Sequence, residues 1–327
     1  MSLHVDTDRV QRAPQPPRGS RRRSRGGRAS SSWWARFDLR VVPYLLISPY
    51  FLLFTAFGLF PLAFTFWVSL QKYELAGDAE FNGLGNYITL LGDEDFWNAV
   101  INTVGIFIIA TVPQLLLALM LANALNKRIR GQLFFRMGVL LPLVTSVVAV
   151  AVVFTQLYGR DYGMINWLLG FFGIENIAWQ NHKWSSWIAI ATMVDWRWTG
   201  YNAIIYLAAM QTIPRDLYEA ASLDGASPRR QFWQITLPLL RPVIIFTVFV
   251  STIGGLTLFA EPVMFDGGRM SGGSTGQFQT VAMFIVEQGF RQFEYGYAAT
   301  AAWMLFVLIL IGVLINYSLV RRIGGSR

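Results

Sequence analysis

The chain has 327 residues, 54% of them hydrophobic and 14% charged, with a formal net charge of +8 and a mean hydropathy of +0.42. A soluble domain carries about 25% charged residues, so this balance is that of a chain embedded in a membrane. With no cysteine and two histidines, His4 and His182, disulfides, thiolate nucleophiles and Cys-ligated metals are excluded and most His-based sites lack their residues; no catalytic or metal site is predicted.

Residues 1–32 are rich in Arg, Ser, Pro and Gly and nearly free of apolar side chains. Such a stretch cannot bury enough surface to offset the cost of ordering, so a disordered basic cytoplasmic tail is expected. Its RRRSR run at 21–25, close to a membrane span, reads as a topology signal or a contact for anionic lipid, not for nucleic acid. The apolar stretch that follows is too long for a cleaved leader, whose hydrophobic part runs about 7–15 residues. Trp33 and Trp34 suit the interfacial belt, and one membrane domain is expected over 33–327.

Six stretches offer about 20 apolar residues in a row and are predicted to be helices, because lipid gives backbone amides no other partner. They are 41–70, 98–125, 137–158, 184–210, 243–263 and 295–320. The first exceeds a bilayer core and is expected to kink at Pro49 and Pro61. Asn102, Gln114 and Asn123 in the second fit interhelical hydrogen bonds better than ligands. In the fourth, Asp195, Trp196, Arg197, Trp198, Tyr201 and Asn202 set charges beside aromatics, and Glu261 falls near the end of the fifth. Intramembrane charges are costly and face a wet cavity or each other, and planar polar groups set beside aromatic faces can line a path for a polar solute. Asp195, Arg197, Trp198, Tyr201, Asn202 and Glu261 are therefore the substrate-path candidates. The plainer reading puts the charges at the outer interface and the aromatics in the belt.

Between the fourth and fifth spans the chain reads YEAASLDGASPRRQFWQITLPLLRP over 218–242. Thr212 is expected to cap a short helix that starts at Pro214 and runs to Leu223. Asp224-Gly225 signals a turn, and Ser227-Pro228 starts a second helix that Pro238 and Pro242 are expected to close. Ala220 and Ala221 let a partner approach closely, and Glu219 offers it a charge. Composition alone fits an interfacial linker that binds nothing equally well. Spacing separates the two readings: Glu219-Ala220-Ala221, three spacers, Gly225, nine spacers, then Ile235-x-Leu237-Pro238. Seven residues at fixed spacing arise by chance in about 10⁻⁸ of start positions.

Orientation follows from the basic residues. Both termini, the 127–136 loop and the 215–241 loop together hold 21 of the 27 Lys and Arg, while Glu74, Asp78, Glu80, Asp93, Glu94 and Asp95 fill the first loop of the other side. Both ends of the chain and the Glu219 loop are therefore predicted to be cytoplasmic.

The spaced residues of that loop match the EAA-x3-G-x9-I-x-L-P pattern of the permease subunits of bacterial ABC importers. Residues 41–322 resemble the carbohydrate-uptake, maltose- and glycerol-phosphate-type branch. LYEAASLDGAS at 217–227, FGLFPLAFTFWVSL at 57–70, NGLGNY at 82–87 and FEYGYAAT at 293–300 are all similar to it. The branch's TGGGP-like stretch reads FDGGRMSGGST at 265–275, without the proline, which leaves the shape of that loop open. The resemblance implies an all-α membrane protein: the six-helix transmembrane domain of a type I ABC importer with a cytoplasmic coupling helix. It implies that Tyr218, Glu219, Ala220, Ala221, Asp224, Gly225, Ile235, Leu237 and Pro238 serve coupling to an ATPase. The implied partners are a second six-span permease, two ATPase subunits, an extracytoplasmic sugar-binding protein and the bilayer, with no nucleic acid. The chain has no GxxxxGK[ST] phosphate loop, so ATP and Mg belong to the ATPase and this chain is expected to hold no cofactor and to catalyse nothing. The alternative class is a stand-alone carrier or channel for a polar solute, though the internal repeat such carriers often show is not evident.

Overall fold

The computed structural model describes residues 33–75, 77–127 and 130–324. The predicted tail over 1–32 and the last three residues lie outside them. Residues up to Leu59 form one unit. Its helix α1 (Trp33–Phe54) begins ahead of the predicted first span and passes into a π-helical turn, Thr55–Leu59. The irregularity therefore falls between Pro49 and Pro61 and not at either proline. Pro61 has no amide for the carbonyl four residues before it, and a widened turn absorbs that loss. Tyr50 stacks on Phe54 at 6.3 Å. Tyr44, Leu46 and Phe57 stand exposed, an apolar surface that suits lipid or another membrane chain.

The second unit starts at Phe60. In chain order it holds α2 (Phe60–Ser69), the short hairpin β1 (Gln71–Lys72) and β2 (Glu80–Phe81), α3 (Gly85–Leu91), α4 (Glu94–Leu125), α5 (Gln132–Val144), α6 (Val147–Leu157) and α7 (Met164–Gly170). Then come α8 (Lys183–Gln211), α9 (Arg215–Leu223), α10 (Pro228–Gln231), a π-helical turn (Phe232–Thr236), α11 (Leu237–Leu256), α12 (Ala260–Phe265), α13 (Val281–Phe290) and α14 (Tyr295–Gly324). Asp93 caps α4, accepting from the amides of Asp95 and Phe96 and from the Tyr297 hydroxyl of α14.

Four helical stretches are long and apolar enough to cross a membrane: Val42–Ser69, Glu94–Leu125, Pro228–Leu256 and Tyr295–Ser318. The other two predicted spans depart from that form. The third is not one rod, since α5 and α6 meet at 91°. Thr145 and Ser146 between them are extended, with ψ of 138° and 131°, and Pro142 has already removed one amide from the ladder. The fourth is α8, a 29-residue helix whose modest hydropathy has a structural cause. α4, α5, α6, α11 and α12 all pack on it, so much of its surface meets protein instead of lipid.

Small residues allow that packing. A side chain at Gly105 of α4 would strike the Trp187 ring of α8, and one at Gly200 of α8 would strike the Val139 carbonyl of α5. At one end of α8, Lys183 Nζ donates to Asn98 Oδ1 at the start of α4 (2.8 Å). At its other end Ala203, Tyr206 and Met210 share a buried cluster with Ala118, Ala122 and Leu125 of α4. α4 and α8 therefore run side by side in the same direction.

The fifth span also differs from expectation. α10, the π turn and α11 form one helical run, Pro228–Leu256, so Pro238 and Pro242 lie within it and close nothing. The π turn immediately before Pro238 accommodates the missing amide. The run stops at Leu256, short of residue 263, and Glu261 belongs to the separate helix α12.

Candidate functional site: a helical hairpin and a polar cavity

The hairpin follows the C-terminal end of α8. Thr212 does not cap α9; its hydroxyl donates to the Ala209 carbonyl and it ends α8 (2.8 Å). A residue just past a helix end bonds backward, and Pro214 takes the N-cap position of α9 instead. Along α9 none of Tyr218, Glu219, Ala220 and Ala221 is buried. Asp224 ends the helix, and Gly225 turns the chain with φ +74°, a value that favours glycine. The Ala226 amide then donates to the Ala221 carbonyl at 2.8 Å. Ser227 caps α10 through the Arg230 amide, with Pro228 in the first turn, as its sequence predicts. Ile235 lies in the π turn, and Leu237 and Pro238 open α11.

A cavity of about 400 Å³ lies between α4, α8, α11 and the break before α12. Val194, Arg197, Trp198, Tyr201 and Asn202 line it from α8, at the spacing that puts side chains on one helix face. Trp198 and Tyr201 meet edge to face at 6.0 Å, and the Arg197 guanidinium lies 6.0 Å from the Trp198 ring centre. Arg197 Nη1 donates to Glu261 Oε1 at 2.5 Å, with both side chains largely buried. The break before α12 is fixed by Thr280, whose hydroxyl donates to the Leu258 carbonyl (2.9 Å). On α11 Gly254 leaves its space open, while Gly255 admits the Phe107 ring.

Five of the six predicted path residues thus meet at one cavity. Asp195 does not. It lies on another face of α8, beside Leu117, Leu121, Val139, Pro142, Trp196, Thr199 and Gly200, because neighbours one and two residues apart on a helix point in different directions. Gln114, expected from the sequence to make an interhelical hydrogen bond, departs from that reading. It lines the cavity, and its amide makes no side-chain hydrogen bond among the described residues. Asn102, which looks the same in sequence, donates to the carbonyls of Gly276 and Gln279 (2.7 and 2.9 Å) and so anchors the loop after α12. Thr111 and Ser251 join Gln114 in the lining, and no motif marks any of the three.

That loop folds around Asp266 without the family's proline. The Asp266 carboxylate accepts from the Ser271 hydroxyl and from the amides of Gly272 and Gly273 (3.1–3.3 Å), and pairs with Arg269. Gly272 and Gly273 reach it with φ of +64° and +92°.

Residues 103–325 match the family described as the binding-protein-dependent transport system inner membrane component. The arabinooligosaccharides transport system permease protein AraP of Halalkalibacterium halodurans is 33% identical, over 83% of this chain and 85% of its own length. The lactose transport system permease protein LacF of Rhizobium radiobacter is 36% identical, over 82% and 90%. A bacterial alginate ABC transporter, solved with an alginate pentasaccharide-bound periplasmic protein, has a similar fold, with TM-score 0.71 at 22% identity over 89% of this chain and 98% of the other. The chain therefore belongs to the family of inner-membrane components of binding-protein-dependent ABC importers, and it is a multi-pass permease rather than a stand-alone carrier.

Proposed function

With that membership as premise, we propose that the chain is one of two permease subunits of a sugar importer, that α8 and α11 line its solute path, and that α9 docks on a separate ATPase. The observation that carries this reading is the joining of both features along two helices. α8 bears Arg197, Trp198, Tyr201 and Asn202 at the cavity and leads directly into the hairpin; α11 returns from the hairpin to the same cavity. Movement of the hairpin is thereby tied to the cavity walls.

The chemistry of the lining supports a sugar. Trp198 and Tyr201 offer faces for a pyranose ring, and Asn202, Gln114, Thr111 and Ser251 offer hydrogen bonds. The transported sugars named for relatives are oligosaccharides and lactose. The second permease, two ATPase subunits and an extracytoplasmic binding protein complete the machine. ATP and Mg sit in the ATPase, which performs the only reaction. Both termini and the hairpin face the cytoplasm, a placement the distribution of Lys and Arg supports.

The test is reconstitution. The chain, its partner permease, the ATPase and the binding protein are placed in proteoliposomes, and uptake of labelled mono- and oligosaccharides is measured with and without ATP. ATP-dependent uptake of a sugar that Trp198→Ala strongly reduces is expected. ATP-dependent uptake of an amino acid, with none of any sugar, overturns the sugar reading.

A further inference from the structure

Movement of α9 affects transport only if it reaches the helices that line the cavity. Among the described residues, side-chain hydrogen bonds tie α9 to the helical run that follows in two places. Gln231 Nε2 donates to Ser222 Oγ at 2.9 Å, within the exposed hairpin. Tyr218 and Thr236 share a hydroxyl–hydroxyl hydrogen bond of 2.9 Å. This second bond is different in kind. Thr236 is buried, 4% exposed, and is the last residue of the π turn, next to the first residue of α11.

A π turn holds one residue more than the α-helical turn it replaces. If it moves along a helix, the residues it passes rotate by about 100°, one residue's share of a turn. The turn Phe232–Thr236 is a place where this costs little, because Pro238 has already removed an amide from the ladder just beyond it. Rotation of α11 changes what its cavity face presents. Ser251 and Gly254 lie on that face, about 22 and about 27 Å along the helix from Thr236.

Resting on the coupling reading above, we propose that the Tyr218–Thr236 pair is the transmission link of this subunit: it fixes the π turn relative to α9, so that displacement of α9 by the ATPase turns or shifts α11 at the cavity. Tyr218 suits the task because its hydroxyl stands at the end of a rigid ring with two torsions. Thr236 suits it because burial holds its hydroxyl in place. Both act as positioning residues, since neither lines the cavity. The link also gives a physical reason for the spacing of the loop. The turn at Gly225 folds the chain so that a residue beside Glu219 meets one between Ile235 and Leu237.

The experiment uses the complete importer in proteoliposomes and reads three quantities: ATPase subunit retained on the purified complex, ATP hydrolysed, and sugar taken up. Tyr218→Phe and Thr236→Val each remove one hydroxyl with little change of shape. The expected result is normal ATPase retention with sugar moved per ATP lowered about fivefold, the scale of one hydrogen bond. The double variant is no worse than either single one, and Thr236→Ser, which keeps the hydroxyl, restores coupling. A purely structural role would instead lower retention together with hydrolysis. Normal coupling in Tyr218→Phe overturns the proposal, as does a Thr236→Ser protein as impaired as Thr236→Val. Should Thr236→Val fail to assemble, Tyr218→Phe decides alone. Gly225→Val separates the two levels: if it too transports normally the coupling reading fails, and if it alone is inactive only the link fails.

Discussion

Arg197 of α8 and Glu261 of α12 form an ion pair of 2.5 Å, with side chains 13% and 6% exposed, in the wall of the cavity. The pair joins the helix that leads to the hairpin with the segment beyond the break in the fifth span. Arg197 Nε has no partner among the described residues, so the guanidinium depends on Glu261 for its neutralisation. Two charges taken from water repay their desolvation only while they remain together. Glu261→Leu or Arg197→Met should each lower the stability of the detergent-solubilised protein by about 3–5 kcal/mol. The double variant Arg197→Met/Glu261→Leu should cost less than either single change, because no charge is left unpaired. Thermal unfolding of the four proteins measures this, and additive losses would show that the pair is not coupled.

Gly225 stands at φ +74° with nothing within 4 Å of the position a side chain would take. The space is open, so Gly225→Val would act through the backbone. A β-branched residue in the left-handed region is strained by about 1–2 kcal/mol. That is enough to reshape an exposed turn and too little to unfold a bundle held by its own buried clusters. Sugar uptake should be lost while the amount of protein in the membrane stays near normal. Immunoblots of the membrane fraction and uptake assays on the same cells check both halves.

The hairpin and the shared cavity face of Arg197, Trp198, Tyr201 and Asn202 were legible in the sequence because the signals there are local: a capping serine before a proline, an Asp-Gly turn, and residues spaced along one helix face. What was not legible depended on partners distant in sequence. Asp195 and Arg197 look alike as intramembrane charges, yet only Arg197 has Glu261 across from it. Asn102 and Gln114 look alike as amides of one helix, yet only Asn102 meets the carbonyls of Gly276 and Gln279. Pro238 and Pro242 signal an end to a helix, and the π turn removes that need. The charges and weak hydropathy of α8 have their cause in its packing against other helices, which residues 184–210 alone do not reveal.

The division of α8 into two faces predicts which engineered cysteines a solute can shield. The chain has no native cysteine, so Tyr201→Cys and Asp195→Cys each create one labelling site. Sugar held in the cavity should slow maleimide labelling at position 201 and leave position 195 unaffected. Protection at 195 alone would move the path to the α4–α5 side of α8. Trp198→Ala should reduce uptake severalfold, since it removes the larger of the two aromatic faces that α8 contributes to the cavity.

The same-direction course of α4 and α8 constrains the topology. Lys183 meets Asn98 at one end of the two helices, and Met210 joins Ala122 and Leu125 in one cluster at the other. The chain must therefore return across the membrane between 126 and 182. α5 and α6 are the elements available for that return, so despite their 91° bend they should act as one crossing and not as a re-entrant loop. Counting them once and α8 once gives six crossings, with both ends on one side. The excess of Lys and Arg predicts that this side is the cytoplasm. A reporter active only inside the cell should work when fused after Arg327 or after Leu223. One active only outside should work when inserted at Tyr162, a fully exposed residue between α6 and α7. If the Tyr162 insertion reported from the cytoplasm while the Arg327 fusion became external, the bent pair would not cross. α9 would then lie on the outer face, and its proposed docking on an ATPase would be impossible.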